Sequence, residues 1–125
     1  MHELSIALSL ISAATQAARE AGAGSVLGLR VRVGVLAAVD EDALRFSFAL
    51  ASEGTALEGA TLTIESVPAA GWCPVCHREV EIQSIQAIRC PSCATPLPHL
   101  AHGRELELTS LEIIEGEPIH DGAVR

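Results

Sequence analysis

An α+β fold is predicted, in which two helices pack on a three-stranded mixed sheet and a zinc-ribbon-like four-cysteine module is inserted before the last strand. Three observations carry this reading. Two amphipathic segments of helical period are each followed by a segment in which apolar and polar residues alternate. A third alternating segment comes late in the chain. Between the second and third of these strands lie Cys73-Pro-Val-Cys76 and Cys90-Pro-Ser-Cys93, the only cysteines, with thirteen residues between the pairs.

In the first helix Leu4, Ala7, Leu8, Ile11, Thr15 and Ala18 recur at helical spacing, with serines and Gln16 largely off that stripe. Glu3 in the first turn and Arg19 in the last suit the helix dipole, and Gly22 and Gly24 end the segment. From Val26 to Val35 the period changes to two. Leu27, Leu29, Val31, Val33 and Val35 share one face, against Arg30, Arg32 and Gly34. Asp40 is an N-cap, with Glu41 and Asp42 in the first turn that follows. The second helix then runs to about Ser52 with a broad apolar surface of Ala43, Leu44, Phe46, Phe48, Leu50 and Ala51, stopped by Gly54.

Ala60, Leu62 and Ile64 alternate with Thr61, Thr63 and Glu65 in a second strand closed by Pro68. Strand, helix and strand in that order favour a right-handed crossover and parallel pairing. Leu106, Leu108, Leu111 and Ile113 form the last strand, and a slip in alternation at Thr109 and Ser110 predicts a β-bulge there. Residues 116–125 are expected to be a loosely ordered tail. The chain thus divides into a helix and sheet domain, residues 1–69 and 99–125, and a module of residues 70–98 flanked by Pro68, Pro96 and Pro98.

A Cys-x-x-Cys turn aims two sulfurs at one point, and two such turns complete the tetrahedral cage that zinc accepts. With all four positions filled by Cys73, Cys76, Cys90 and Cys93, the site is structural rather than catalytic. Two disulfides would need an oxidising compartment, and no signal peptide precedes the amphipathic opening. Paired redox motifs rarely occur at this separation, and a rubredoxin-like iron centre remains an alternative for an all-sulfur site. The module looks too small to bury a core of its own, so metal binding, worth roughly 10–16 kcal/mol in zinc peptides, supplies its folding energy.

Sixteen acidic against eight basic side chains give a net charge of −8, which argues against nucleic acid as a partner. Phe46, Phe48 and Trp72 are the only aromatics, so no base-stacking platform is available. Apolar runs are too short to span a bilayer, and a soluble cytoplasmic protein without membrane contact is expected. No nucleophile with a base, phosphate loop or carboxylate pair is recognisable, and the three glycines at 22, 24 and 28 do not follow a strand as a dinucleotide fingerprint would. The chain does not read as an enzyme.

Among the histidines, His77, His99 and His102 flank the cysteine pairs, either as exposed loop residues or as donors able to exchange with a protonated thiol. His2 differs in kind. Beside a free amino terminus it can chelate a metal through the Met1 amine, its own backbone nitrogen and its imidazole, with the Glu3 amide or carboxylate completing the set. Such nitrogen-rich planar donors suit nickel(II) and copper(II).

The opening Met1-His2-Glu3-Leu4-Ser5, followed by two Cys-Pro-x-Cys pairs, resembles the HypA/HybF family of hydrogenase nickel-maturation proteins. Also family-like are Arg32-Val33-Gly34, the stretch Ala43 to Phe48, the turns Glu53-Gly54-Thr55 and Leu57-Glu58-Gly59-Ala60, and Glu105-Leu106 running into Ser110-Leu111-Glu112-Ile113. The resemblance spans nearly the whole chain. It implies a nickel metallochaperone that acts with a nickel-insertion GTPase to load the [NiFe] hydrogenase large subunit, some relatives also serving urease maturation. By position it makes His2 the essential nickel ligand, with the Met1 amine and Glu3 completing the site in the helix and sheet domain, and makes the four cysteines ligands of zinc. Ala94 stands where many relatives have glycine. Two other classes compete: a zinc-ribbon adaptor that only binds proteins, which would take no second ion, and a nucleic-acid-binding zinc ribbon, which the charge disfavours.

Overall fold

The computed structural model describes residues 3–82 and 88–115. Helix α1 (Glu3–Glu20) leads into strand β1 (Ala23–Gly34), then α2 (Glu41–Ala51) and β2 (Thr61–Val67). Three short strands follow, β3 (Ala70–Cys73), β4 (Arg78–Glu81) and β5 (Leu100–His102), before the long β6 (Leu106–Glu115). Two three-stranded sheets result, ordered β2-β1-β6 and β4-β3-β5.

The first sheet is mixed. Gly28 lies against Thr61, and the Val35 amide just past β1 donates to the Val67 carbonyl at 3.0 Å, so numbering rises together along β1 and β2 and the pair is parallel. Gly34 meets Glu105 at 2.8 Å and the Thr109 hydroxyl reaches the Arg30 carbonyl at 3.1 Å, so β6 runs antiparallel. The strand β6 is continuous across Thr109 and Ser110, while the half-buried positions change parity there, Leu108 before and Leu111 and Ile113 after.

Helix α2 follows the local chemistry closely. Asp40 is its N-cap, with Oδ1 accepting from the Ala43 amide at 3.0 Å, and Ser52 closes it by donating its amide to Phe48 at 2.9 Å. Replacing Asp40 by alanine leaves that amide unpaired, and is expected to cost about 1 kcal/mol in chemical denaturation of the folded chain. A loss below a few tenths of a kcal/mol would mean that water replaces the cap.

The helix faces require correction. In α1 the buried positions are Ile6, Ala7, Leu10, Ile11, Ala14 and Ala18, while Leu4 and Leu8, placed on the apolar stripe by spacing, are 53% and 52% exposed. In α2 only Leu44 and Phe48 are buried, and Phe46 and Leu50 face outward. The two helices pack on each other, and that contact selects one stripe from an apolar pattern wide enough to offer several. The strand β1 begins three residues earlier than expected, because Gly22 alone, at φ +72°, turns the chain out of α1. Val26 is buried and Leu27 exposed, with Leu29, Val31 and Val33 inward beyond them, so the inward parity changes near Gly28. Val35 lies past the strand end and is exposed.

The chain forms two compact units. One contains both helices, β1 as far as Val31 and β6 from Leu108. The other comprises Arg32–Ala38 and Glu65–Glu107, extending on both sides of residues 70–98. The second unit has a core of its own, contrary to expectation. Ala69, Cys73, Val80, Ile82, Cys90 and Leu97 are buried together, with Leu36, Cys76 and Leu100 packed on them. The hairpin β3-β4 explains it: Gly71 pairs with Val80 and Cys73 with Arg78, so Val80 and Cys73 turn the same face inward. Gly34 and Gly103 pass so closely in this unit that a Cβ on Gly34 would overlap the Gly103 carbonyl. Gly103, at φ +125°, adopts a backbone that side-chain-bearing residues avoid.

Candidate metal centre

The two Cys-Pro-x-Cys turns are built alike. After the first, the His77 amide donates to the Cys73 carbonyl at 2.9 Å with His77 at φ +54°; after the second, the Ala94 amide donates to Cys90 at 2.8 Å with Ala94 at φ +63°. Cys73 ends β3, and the second turn is pinched closed by Cys90 to Thr95 at 2.9 Å and by pairing of Arg89 with Pro96. Arg78 reaches Ser92 at 2.9 Å and Arg89 reaches the Ala94 carbonyl at 3.2 Å, bracing both turns.

Left-handed backbone costs a residue with a Cβ about 1 kcal/mol or more. Ala94→Gly is therefore expected to stabilise the metal-loaded module by up to about 1 kcal/mol, part of the relief being offset by glycine's freedom in the unfolded chain. Chelator competition at a fixed metal concentration would show the gain as slower or weaker metal loss. Faster loss would mean that the Ala94 methyl makes a contact worth more than the strain.

The four sulfurs converge within 4.8 Å of one another. Cys73 lies 3.6 Å from Cys93, Cys76 lies 3.8 Å from Cys90 and 3.7 Å from Cys93. Four sulfurs bonded at roughly 2.3 Å around a tetrahedral ion stand about 3.8 Å apart. The donor set and its spacing therefore fit a tetrahedral thiolate-bound metal. Cys73 and Cys90 are buried, whereas Cys76 and Cys93 lie toward the outside.

The thiols are not equivalent. Hydrogen bonds from the Thr95 hydroxyl, 3.1 Å from Cys93, and from the Thr95 backbone bring Cys93 down to about 6. Cys76 is pushed up to about 12, chiefly by sharing a proton with Cys93 and then with Cys73 and Cys90. Burial pushes Cys90 up, but amides of Cys93 and Ser92 outweigh it and leave its thiol lowered. An incoming metal thus meets a thiolate already formed at Cys93 and displaces a proton from Cys76.

Of the residues assigned to nickel, Met1 and His2 lie outside the described residues. Glu3 is described, and its Oε2 accepts the Asp40 backbone amide at 3.1 Å. That bond is the main reason its carboxyl is held below the ordinary value. Asp40 was legible only as a cap. Its amide also anchors the residue next to His2, a contact between positions 37 apart that no local pattern announces. Among the flanking histidines, His77 takes the turn described above and His99 is exposed. His102 contacts Glu79 and Glu105 rather than a sulfur. Residues 116–125, read as a tail, lie outside the described residues.

The family model described as hydrogenase/urease nickel incorporation metallochaperone, HypA, matches residues 1–113. A hydrogenase maturation factor HypA from Chloroflexus aurantiacus is 51% identical over 112 residues, which is 90% of this chain and 98% of that protein. Another from Deinococcus radiodurans is 48% identical over 108 residues, covering 86% and 89%. The solution structure of the Ni metallochaperone HypA from Helicobacter pylori superposes with a TM-score of 0.68, covering 93% of this chain and all of that one at 24% identity, and so shares the fold. The match from residue 1 through both cysteine pairs, with relatives near half identity along most of their length, places the chain in the HypA family of hydrogenase and urease nickel-incorporation metallochaperones.

Proposed function

We propose that the chain binds Ni(II) at its amino terminus through the His2 imidazole and backbone nitrogen, the Met1 amine and the amide or carboxylate of Glu3. It passes the ion to the [NiFe] hydrogenase large subunit, acting with a nickel-insertion GTPase, and urease maturation proteins are a second destination in keeping with the family's description. Zn(II) is held structurally by Cys73, Cys76, Cys90 and Cys93. As a maturation factor the chain is not an enzyme. The observation that carries this reading is the family match that begins at residue 1 and takes in all four cysteines.

The physical chemistry supports a division of labour between the helix and sheet domain of residues 1–69 and 99–125 and the module of residues 70–98. A four-sulfur cage leaves no open position and suits a resident ion. A chain end offers exchangeable donors, as a cargo ion requires. Glu3, whose Oε2 accepts the Asp40 amide, helps to hold the start of α1 in place. No helix among the described residues is long and apolar enough to cross a membrane, and reduced cysteines accord with a cytoplasmic setting.

The test is nickel titration of zinc-loaded protein with an unmodified amino terminus. One tight nickel beyond the zinc, lost on altering residue 2, is the expected result. A protein that takes no second ion would be the protein-binding adaptor instead.

A further inference from the structure

The two edges of the first sheet are finished differently. Along β2 the Val67 carbonyl accepts from Val35 and the Thr61 carbonyl lies beside Gly28, so these positions turn their backbone groups toward β1. By alternation Leu62 and Ile64 turn theirs to the outer side. The outer carbonyl of Leu62 is taken by the Arg45 guanidinium of α2 at 2.8 Å. A side chain seated on an edge carbonyl obstructs an added strand.

The edge of β6 carries no such guard among the described residues. The sheet order ends on this strand, which runs ten residues from Leu106 to Glu115 without proline or lysine. Glu105 gives its carbonyl to the Gly34 amide, so Glu107 and Thr109 turn toward β1, and Leu106 and Leu108 turn their N–H and C=O groups to the open side. Beyond the parity change at Thr109 and Ser110, Leu111 and Ile113 return to the face of Leu108 and so to the open edge.

The same parity change makes the strand symmetric in pattern. Outward from the Thr109–Ser110 bond, Leu108, Glu107 and Leu106 on one side match Leu111, Glu112 and Ile113 on the other. In an antiparallel pair with a dyad at that bond, Leu108 meets Leu111 of the second copy, Leu106 meets Ile113 and Thr109 meets Ser110. A shift of one residue would set Leu108 against Ser110 or Glu112 instead. Leu108, Leu111 and Ile113 are only half-buried, so pairing removes further apolar surface from water. The one unfavourable match is Glu107 against Glu112, and Glu107 is already engaged by Arg32 at 3.3 Å.

We propose that β6 pairs antiparallel with β6 of a second copy about a dyad between Thr109 and Ser110, joining their first sheets edge to edge. A dyad contact of this kind is self-complementary and closes on itself. The net charge of −8 on each chain and the two Glu107–Glu112 contacts make the dimer weak and reversible. The pairing uses none of the proposed metal ligands and does not rest on the nickel reading.

The test is sedimentation equilibrium of zinc-loaded full-length protein over a range of concentrations, with amide exchange followed alongside. A monomer–dimer equilibrium is expected, in which the Leu108 and Leu111 amides become more protected as concentration rises. Glu112→Lys sets a lysine against Glu107 at both ends of the pair and should tighten the dimer about tenfold. Glu53→Lys, the same change of charge just past α2, should leave it nearly unchanged. Leu106→Glu, at a position 38% exposed, replaces an apolar contact by a charge on the edge and should weaken it. Wild-type protein that stays monomeric throughout overturns the proposal. So does a dimer that leaves those two amides unprotected, which would use another surface, or one that Glu53→Lys strengthens as much as Glu112→Lys, which would respond to net charge alone.

Discussion

Replacing Cys90 by serine is expected to empty the cage and dissolve the order of the cysteine module while the helices and the first sheet remain folded. Cys90 is 2% exposed, sits in the module's core beside Cys73, and contributes one of four converging sulfurs. A neutral hydroxyl cannot replace a thiolate toward zinc, and three thiolates leave the cage open to water. The apolar core that remains is small, so most of the module's stability comes with the ion, on the scale of roughly 10–16 kcal/mol for structural zinc in peptides. Metal analysis should fall from one zinc per chain to a small fraction, and amide exchange should rise through β3 and β4. The helical signal in circular dichroism should stay nearly constant. Full zinc content, or unfolding of the whole chain, would contradict the separation of the two parts.

Acidification should act in the same direction. Metal binding requires the thiolate at every position, and Cys76 without metal is pushed up to about 12, so zinc uptake near neutrality releases its proton. Affinity therefore rises with pH and falls as protons compete. Cys93, at about 6, joins that competition only on the acid side of neutrality.

The second large effect belongs to residue 2. His2→Ala, or one extra residue ahead of Met1, is expected to abolish tight nickel binding and hydrogenase maturation, leaving zinc content and thermal stability nearly unchanged. The first change removes the imidazole, and the second converts the Met1 amine into an amide and breaks the small chelate rings. Neither touches the Glu3 to Asp40 bond or the cap of α2. Nickel affinity should also weaken as pH falls, because imidazole, amine and any participating amide must each give up a proton before coordinating. Calorimetric titration at several pH values would measure this. Wild-type affinity in His2→Ala would remove the imidazole from the ligand set. Wild-type affinity in the extended chain alone would keep the imidazole and hand the amine's place to Glu3 oxygen or water.

Chemistry that acts over three or four residues was legible in the sequence. The cysteine pairs announce themselves because each turn brings its two sulfurs together locally, and the limits of α2 follow from Asp40, its acidic first turn and the stop after Ser52. The residues from the amino terminus through both cysteine pairs carry the match to the HypA family. Tertiary contact decided the rest. Leu4 and Leu8 against Ile6 and Leu10, or Phe46 against Phe48, are equally apolar, and only packing between α1 and α2 chooses among them. The strands β3, β4 and β5 have four, four and three residues, too short for an alternating pattern to stand out, and exist through pairing with one another. The bond from Asp40 to Glu3 and the charges gathered around His102 join residues that lie far apart in sequence or on separate strands. No periodicity carries such information, because the free energy that creates those contacts arises only when the chain has folded.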